Sequence, residues 1–235
     1  MDNGWDASAD AWIDAQGPDG DHARKYVLDT EMMARLRGTG ARTLVDIGCG
    51  EGRFCRMAAE MGITATGIDP TESLINRARE QDPNGTYHIA KAEALPLPDA
   101  SVDCVVFYLT LIDIPDLTAA ISEAHRVLRR GGHVLIANLA GFITAARHDG
   151  WSRKGNDTGI LELTGYLDED VYWTHWAGIR IHNHHRPPKT YFQGFLNAGF
   201  VLTHYDEPRS THPDADQRAR YDNVAYLTLM EWQKP

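Results

Sequence analysis

Thr43-Leu-Val-Asp-Ile-Gly-Cys-Gly-Glu-Gly-Arg-Phe54 is the stretch whose reading decides the fold. Leu44, Val45 and Ile47 form the short apolar run that a buried parallel strand needs, and Gly48, Gly50 and Gly52 follow it at alternate positions. Glycine has no Cβ and tolerates positive φ, so the turn can be tight and its N–H groups can press against a ligand at the start of the next helix. The pattern describes either a cradle for a nucleotide-like ligand or merely a sharp strand-to-helix turn.

Two details sharpen it. The spacing Asp46-x-Gly48-x-Gly50-x-Gly52 differs from the dinucleotide pattern G-x-G-x-x-G, so no pyrophosphate is implied. A second strand, Thr64-Ala-Thr-Gly-Ile68, ends in Asp69, 17 positions after Gly52, where a carboxylate can take both hydroxyls of a ribose. An acid followed by alternating glycines, then an acid closing the second strand, resembles the class I S-adenosylmethionine-dependent methyltransferases, in their small-molecule (methyltransferase type 11-like) branch. The resemblance implies an α/β fold with a Rossmann-like, doubly wound, seven-stranded sheet. It also implies S-adenosylmethionine as cofactor, S-adenosylhomocysteine as product, and Asp46, Gly48, Gly50, Asp69 and Pro70 as cofactor contacts. Two alternatives stay open: an NAD(P)-dependent oxidoreductase, against which the glycine spacing counts, and a non-catalytic cofactor-binding protein on the same fold.

Composition bounds the partners. The 235 residues are 43% hydrophobic and 24% charged, ordinary for a globular protein with a sizeable core. A formal charge of −10 without a Lys/Arg cluster argues against a nucleic-acid partner. No apolar run approaches the roughly 20 residues of a membrane span, and Met1-Asp-Asn-Gly-Trp-Asp6 lacks the charged and apolar regions of a signal peptide, so a cytoplasmic location is expected. Cys49, Cys55 and Cys104 show no C-x-x-C spacing and read as buried thiols. His182-Asn-His184-His185 lacks the i, i+4 spacing of a helical metal site, and no metal is expected.

Further motifs follow in order. Helices are expected over 53–61 and 71–80, a third strand over 87–90, and then a loop, Lys91-Ala-Glu-Ala-Leu-Pro-Leu-Pro98, whose prolines forbid a regular element. The family's A-E-x-L-P phrase edges the adenine ring; an acid often precedes it, and here Lys91 stands there, which leaves Ala92 backbone or Glu93 for the exocyclic amine. Val102-Asp-Cys-Val-Val-Phe-Tyr108 is strand four, and its exit, 108–116, should wall the methionine end of the cofactor, with Tyr108 as wall residue. The exit carries no N-P-P-Y, D-P-P-Y or Pro-Cys, which disfavours amino-methylation of adenine or glutamine and cytosine C5 chemistry. A helix over 116–128 is expected to close through Arg129-Arg-Gly-Gly132 before strand five, 133–138. Glu123-x-x-Arg126-Val-Leu-Arg-x-Gly-Gly132 is similar to the family's E-x-x-R-V-L-x-P-G-G, with Arg130 in place of proline.

The ends carry the remaining expectations. Gly17-Pro18-Asp-Gly20 is a turn before a helix over 21–36, and Trp5 and Trp12, seven apart, would share one face of an earlier helix, which is either packed on the core or, by resemblance, a lid over the cofactor. Resemblance also assigns Arg24 to the cofactor carboxylate, leaving its ammonium to Asp46 or a carbonyl near Tyr108. From 139 to 189 the periodicity is poor and Trp151, Trp173 and Trp176 accumulate, so an aromatic acceptor cap is expected. Within it, Ile181-His-Asn-His-His-Arg-Pro-Pro188 resembles an H-H-R-P/T phrase of the same branch. His185 is a candidate general base for a small-molecule acceptor, with His184 as substitute and Arg186 to orient it; alternatively the histidines are packed residues and Arg186 braces the cap through carboxylates. A helix over 190–198 and strands over 200–205 and 224–232 complete the sheet. The organisation read is a single domain: 1–41 as N-terminal lid, 42–138 as cofactor-binding core, 139–189 as acceptor cap, and 190–235 as final helix and strands.

Overall fold

The structure, a computed structural model, describes residues 3–17, 19–146, 151–152 and 160–235. Met1, Asp2, Pro18 and the side chain of Trp151, named above, lie outside the described residues. In chain order the elements are α1 (Trp5–Gln16), a π-helical turn (Arg24–Leu28) that continues as α2 (Asp29–Thr39), β1 (Thr43–Ile47), α3 (Arg53–Glu60), β2 (Thr64–Asp69), α4 (Glu72–Gln81), β3 (Thr86–Ile89), β4 (Val102–Tyr108) and α5 (Leu117–Val127). There follow β5 (Leu128–Leu139), α6 (Gly141–Ala146), β6 (Trp151–Ser152), β7 (Ile160–Leu161), β8 (Asp170–Trp176), β9 (Ile179–His185), α7 (Pro188–Asn197), β10 (Val201–Asp206), α8 (Ala215–Asp222) and β11 (Leu227–Gln233).

Seven of the strands form one sheet in the order β3-β2-β1-β4-β5-β11-β10, parallel except for the antiparallel β11. Alternation along β4 builds the layers. Val105 and Phe107 face one cluster with Ile121, Ala124 and Phe195 from α5 and α7, while Cys104, Val106 and Tyr108 face the other, with Met32, Leu36 and Phe54 from α2 and α3. A sheet covered on both faces by helices needs strands that are apolar on both sides, and β4 is buried at six of its seven positions. The strand order reverses between β1 and β4, so their carboxyl ends diverge and leave a crevice there. Away from the crevice, Asp103 ties β4 to β1 by accepting from the amides of Arg42 and Thr43 and the Thr43 hydroxyl.

Four expectations are corrected. The helix over 116–128 does not close through Arg129–Gly132: Leu128 is already extended at ψ 137° and pairs with Val102, so these four residues begin β5 and Arg129 reaches Asp103. The helix expected over 21–36 is split by the π-helical turn. The region 139–189 is more regular than its periodicity suggests, holding α6 and two hairpins, of which β8–β9 turns through Ala177 and Gly178, both at positive φ, as a two-residue hairpin turn requires. Helix α8 lies where no element is expected.

Candidate active site

The glycine turn leaves β1 with Gly48 at φ 76° and Gly50 at φ 55°. A Cβ on Gly50 would come 2.9 Å from the ring of Trp12, so α1 lies directly over this turn. On one side of the turn stands Asp46, 1% exposed; among the described residues its Oδ2 is met only by the Cys55 thiol at 3.9 Å, and its Oδ1 is buried with no hydrogen-bond partner. Burial, with Asp69 nearby, raises the Asp46 carboxyl to about 7. On the other side Asp69 accepts from the Gly50 amide at 3.0 Å and the Thr71 amide at 2.8 Å, and burial raises its pKa despite these bonds.

Around this turn opens a cavity of about 1600 Å³, lined by Gly48, Gly50, Asp69, Pro70, Ala92, Glu93, Arg24 and Tyr108 among others. Eight of the nine expected cofactor residues thus meet at one wall; the ninth, Asp46, sits just behind it. Tyr108 donates to Asp29 at 2.7 Å, and the Arg24 guanidinium, paired with Asp21 at 2.8 Å, lies 5.5 Å from the Trp12 ring and 5.7 Å from that of Tyr108. Trp5 packs edge-on against Trp12 and lines the same cavity. The aromatics of α1 are packed, and what they pack over is the glycine turn. The helix is held between these two tryptophans, where Ser8 donates to the Arg180 carbonyl and accepts from the Arg180 amide on β9.

The His-His-Arg phrase behaves differently from its expectation. Along β9, Ile179, Ile181, Asn183 and His185 alternate with Arg180, His182 and His184, so neighbouring histidines point to opposite faces. His185 is 3% exposed and away from the cavity, its Nδ1 2.7 Å from the Thr144 hydroxyl and its Nε2 3.1 Å from the Tyr166 carbonyl. With both nitrogens held it is a packing residue, not a base aimed at an acceptor. Arg186, 5% exposed, donates to the carbonyls of Leu111, Ile114 and Pro115, so it braces the exit of β4 through carbonyls rather than orienting an acceptor or binding carboxylates. His184 does line the cavity, but burial, then Arg186 and His182, push it down to about 4, which keeps the imidazole neutral and weakly basic.

Asp113 and Asn183 take the place left at that wall. Asn183 Nδ2 donates to Asp113 Oδ1 at 2.9 Å across 70 residues of chain, and both line the cavity beside Ile112 and His182. Sequence reading passed over them, although an isolated acid in the apolar run Leu109-Thr-Leu-Ile-Asp-Ile114 is a signal, because nothing apolar explains it. The preceding Leu109 has φ 58°, an unfavourable conformation for leucine that aims this loop over the crevice. Among the described residues, no group of His, Cys, Asp and Glu could hold a metal ion, all three cysteines are buried thiols, and no helix is long and apolar enough to cross a membrane.

The likenesses agree with this geometry. A family described as a methyltransferase domain matches residues 45–136, from β1 to β5. The chain is 33% identical over 145 residues to a malonyl-[acyl-carrier protein] O-methyltransferase of Serratia marcescens, covering 60% of this chain and 57% of that one. It is 34% identical over 139 residues to a ubiquinone biosynthesis O-methyltransferase of Xanthomonas axonopodis pv. citri, covering 57% and 58% respectively, so it spans a little over half the length of both relatives. A solved S-adenosylmethionine-dependent methyltransferase from Mesorhizobium loti superposes with a TM-score of 0.76 at 28% identity, covering 89% of this chain and 97% of its own. With an acid-and-glycine turn at the reversal of a β3-β2-β1-β4-β5-β11-β10 sheet, and these likenesses across it, residues 45–136 match a methyltransferase domain and the chain has the fold of the class I S-adenosylmethionine-dependent methyltransferases.

Proposed function

We propose that this protein transfers the methyl group of S-adenosylmethionine to a small-molecule acceptor, with Asp69 holding the ribose hydroxyls, Asp46 the ammonium and Arg24 the carboxylate of the cofactor. Ala92 and Glu93 edge the adenine, Pro70 follows Asp69 along the same wall, and Gly48 and Gly50 let the methionine end approach the backbone. The observation that carries the reading is the unpartnered, buried oxygen of Asp46 behind a glycine turn that opens into the cavity. A buried acceptor without a donor costs about 1–3 kcal/mol, and a cationic ligand group at that turn would offset it. Asp69 already takes two backbone amides and the Thr71 side chain, and a ribose hydroxyl would use the lone-pair capacity its two oxygens have left. Arg24 has five N–H donors, of which Asp21 engages one nitrogen's.

When bound, the cofactor supplies an electrophilic methyl on a cationic sulfur. The protein's own part is orientation and exclusion of water, and alignment alone can contribute roughly 7–11 kcal/mol. Residues 1–41 act in this reading as a lid, with Trp5 and Trp12 over the glycine turn, and 139–189 as the acceptor cap, with β8–β9 facing the lid. A small acceptor rather than a nucleic acid, and a cytoplasmic location, belong to the same proposal, in keeping with the charge of −10. A ligand that touches Gly50 must displace the Trp12 ring, so binding is readable in tryptophan emission. Titration with S-adenosylhomocysteine is expected to change that emission saturably, with the change reduced in Trp12→Phe, while NADH gives none. Binding of NADH without binding of S-adenosylhomocysteine would overturn the proposal. Incubation with methyl-labelled cofactor and a panel of phenols, amines, thiols and carboxylates then identifies the acceptor class.

A further inference from the structure

The cavity is larger than the glycine turn alone requires, and its end between α1 and the β8–β9 hairpin has a character of its own. Trp5, Tyr172, Trp176 and His182 supply flat side chains there, with Ile112 between them. The polar group among them is Asp113, whose Oδ1 accepts from Asn183 and whose carboxyl also has the Trp5 indole beside it. Among the described residues no lysine or arginine forms an ion pair with Asp113. The nearest influential cation is Arg24, which is paired with Asp21.

We propose that Asp113 receives the proton of an uncharged, hydroxylated aromatic acceptor bound between Trp5 and the β8–β9 hairpin, making a phenolic oxygen the methylated atom; this rests on the methyl-transfer reading above. Flat side chains stack a planar acceptor at small conformational cost. A carboxylate acceptor at this end would meet Asp113 directly, and the cations that line the cavity, Lys91 and Arg24, belong to the parts assigned to the adenine and the methionine end of the cofactor. An amine would be held by Asp113 as an ammonium, whose lone pair is unavailable for attack. A hydroxyl is activated by the same carboxylate. The oxygen lone pair forms the new C–O bond as the C–S bond breaks, its electron pair stays on the neutral thioether sulfur, and the hydroxyl proton passes to Asp113 and then to water.

Geometry and basicity point the same way among the neighbours. His184 on the same wall could also take a proton, but it is held neutral and weakly basic, and the imidazole of His182 is packed 3.8 Å from the Trp173 ring. Burial raises the Asp113 carboxyl above the usual carboxylate range, so proton transfer starts from its ionised fraction, whose basicity is closer to that of a phenolate. Asn183, through its amide to Oδ1, is the positioning residue that fixes the orientation of the carboxyl beside the Trp5 indole.

The test compares the parent protein with Asp113→Asn on two phenols, catechol and para-nitrophenol, the second at an alkaline pH where it is already ionised. Both proteins are expected to bind S-adenosylhomocysteine within about threefold of each other, under 1 kcal/mol. The variant should lose about a hundredfold or more in turnover of catechol but none with the nitrophenolate, which needs no base. Asn183→Ala, which keeps the carboxylate but not its partner, should show a smaller loss in the same direction, and covers the case in which Asp113→Asn does not fold. Equal losses on both phenols would overturn the inference, as would preferred methylation of benzoate or benzylamine by the parent protein. So would the absence of both turnover and S-adenosylhomocysteine-dependent binding of every phenol. Failure of the parent protein to bind S-adenosylhomocysteine is a separate outcome, which overturns the methyl-transfer reading and this inference with it.

Discussion

Asp46 in β1 and Asp69 at the end of the neighbouring β2 are two buried carboxylates, and their environments set different tests. A buried carboxyl whose folded pKa is raised to about 7 is protonated in the folded state where the unfolded chain, near 3.9, is ionised. The folded state therefore binds more protons between those values, and stability falls as pH rises through that window, by the order of a few kcal/mol. Asp46→Asn is expected to raise the melting temperature at neutral pH and flatten its pH dependence between about 4 and 7, measured by thermal denaturation across that range. In the cofactor reading an ammonium needs the ionised form, so cofactor affinity should climb as pH rises towards 7 and stop climbing in Asp46→Asn. Asp69→Ala is expected to weaken S-adenosylhomocysteine binding about ten- to hundredfold by calorimetry, the worth of charge-assisted bonds to two hydroxyls. Part of that loss will come through the protein itself, since the amides of Gly50 and Thr71 would also lose their acceptor.

The strand is the element at which the reading of the His-His-Arg phrase changes. Two adjacent histidines on a loop can converge on one ligand; on β9 they do not, because His185 is held against Thr144 and Tyr166 while His184 lines the cavity. The phrase is better understood as a clasp between β9 and the exit of β4. The His184 amide donates to the Ile112 carbonyl, Asn183 donates to Asp113, and Arg186 gathers three carbonyls from Leu111 to Pro115. Removing the guanidinium would strand those buried acceptors, so Arg186→Met is expected to destabilise the protein by about 2–4 kcal/mol in denaturant titration. S-adenosylhomocysteine affinity should change far less, since Arg186 itself does not line the cavity that Asp69 lines.

For the whole molecule, the sheet's reversal between β1 and β4 makes one crevice serve both ends of the reaction, with the glycine turn on one side and the β4 exit on the other. A ligand bound there and not by the unfolded chain adds about 2.7 kcal/mol at a hundredfold excess over its dissociation constant. For a chain of 235 residues that corresponds to a rise in melting temperature of roughly 5–10 °C with S-adenosylhomocysteine, checked by calorimetric scanning. The sequence by itself determined what depends on neighbours along the chain: the seven strands, the glycine turn that needs residues without Cβ, and the two acids flanking it. Glycine spacing, apolar runs and strand-ending acids are local signals, and they survive into the structure because a buried parallel sheet requires them. Only the tertiary structure decided that Trp12 lies over Gly50, that Asp113 meets Asn183, and that His185 turns away while His184 lines the cavity. Those outcomes depend on the register of a hairpin and the docking of a terminal helix against segments far away in the chain, and contacts of that kind leave no periodicity to read.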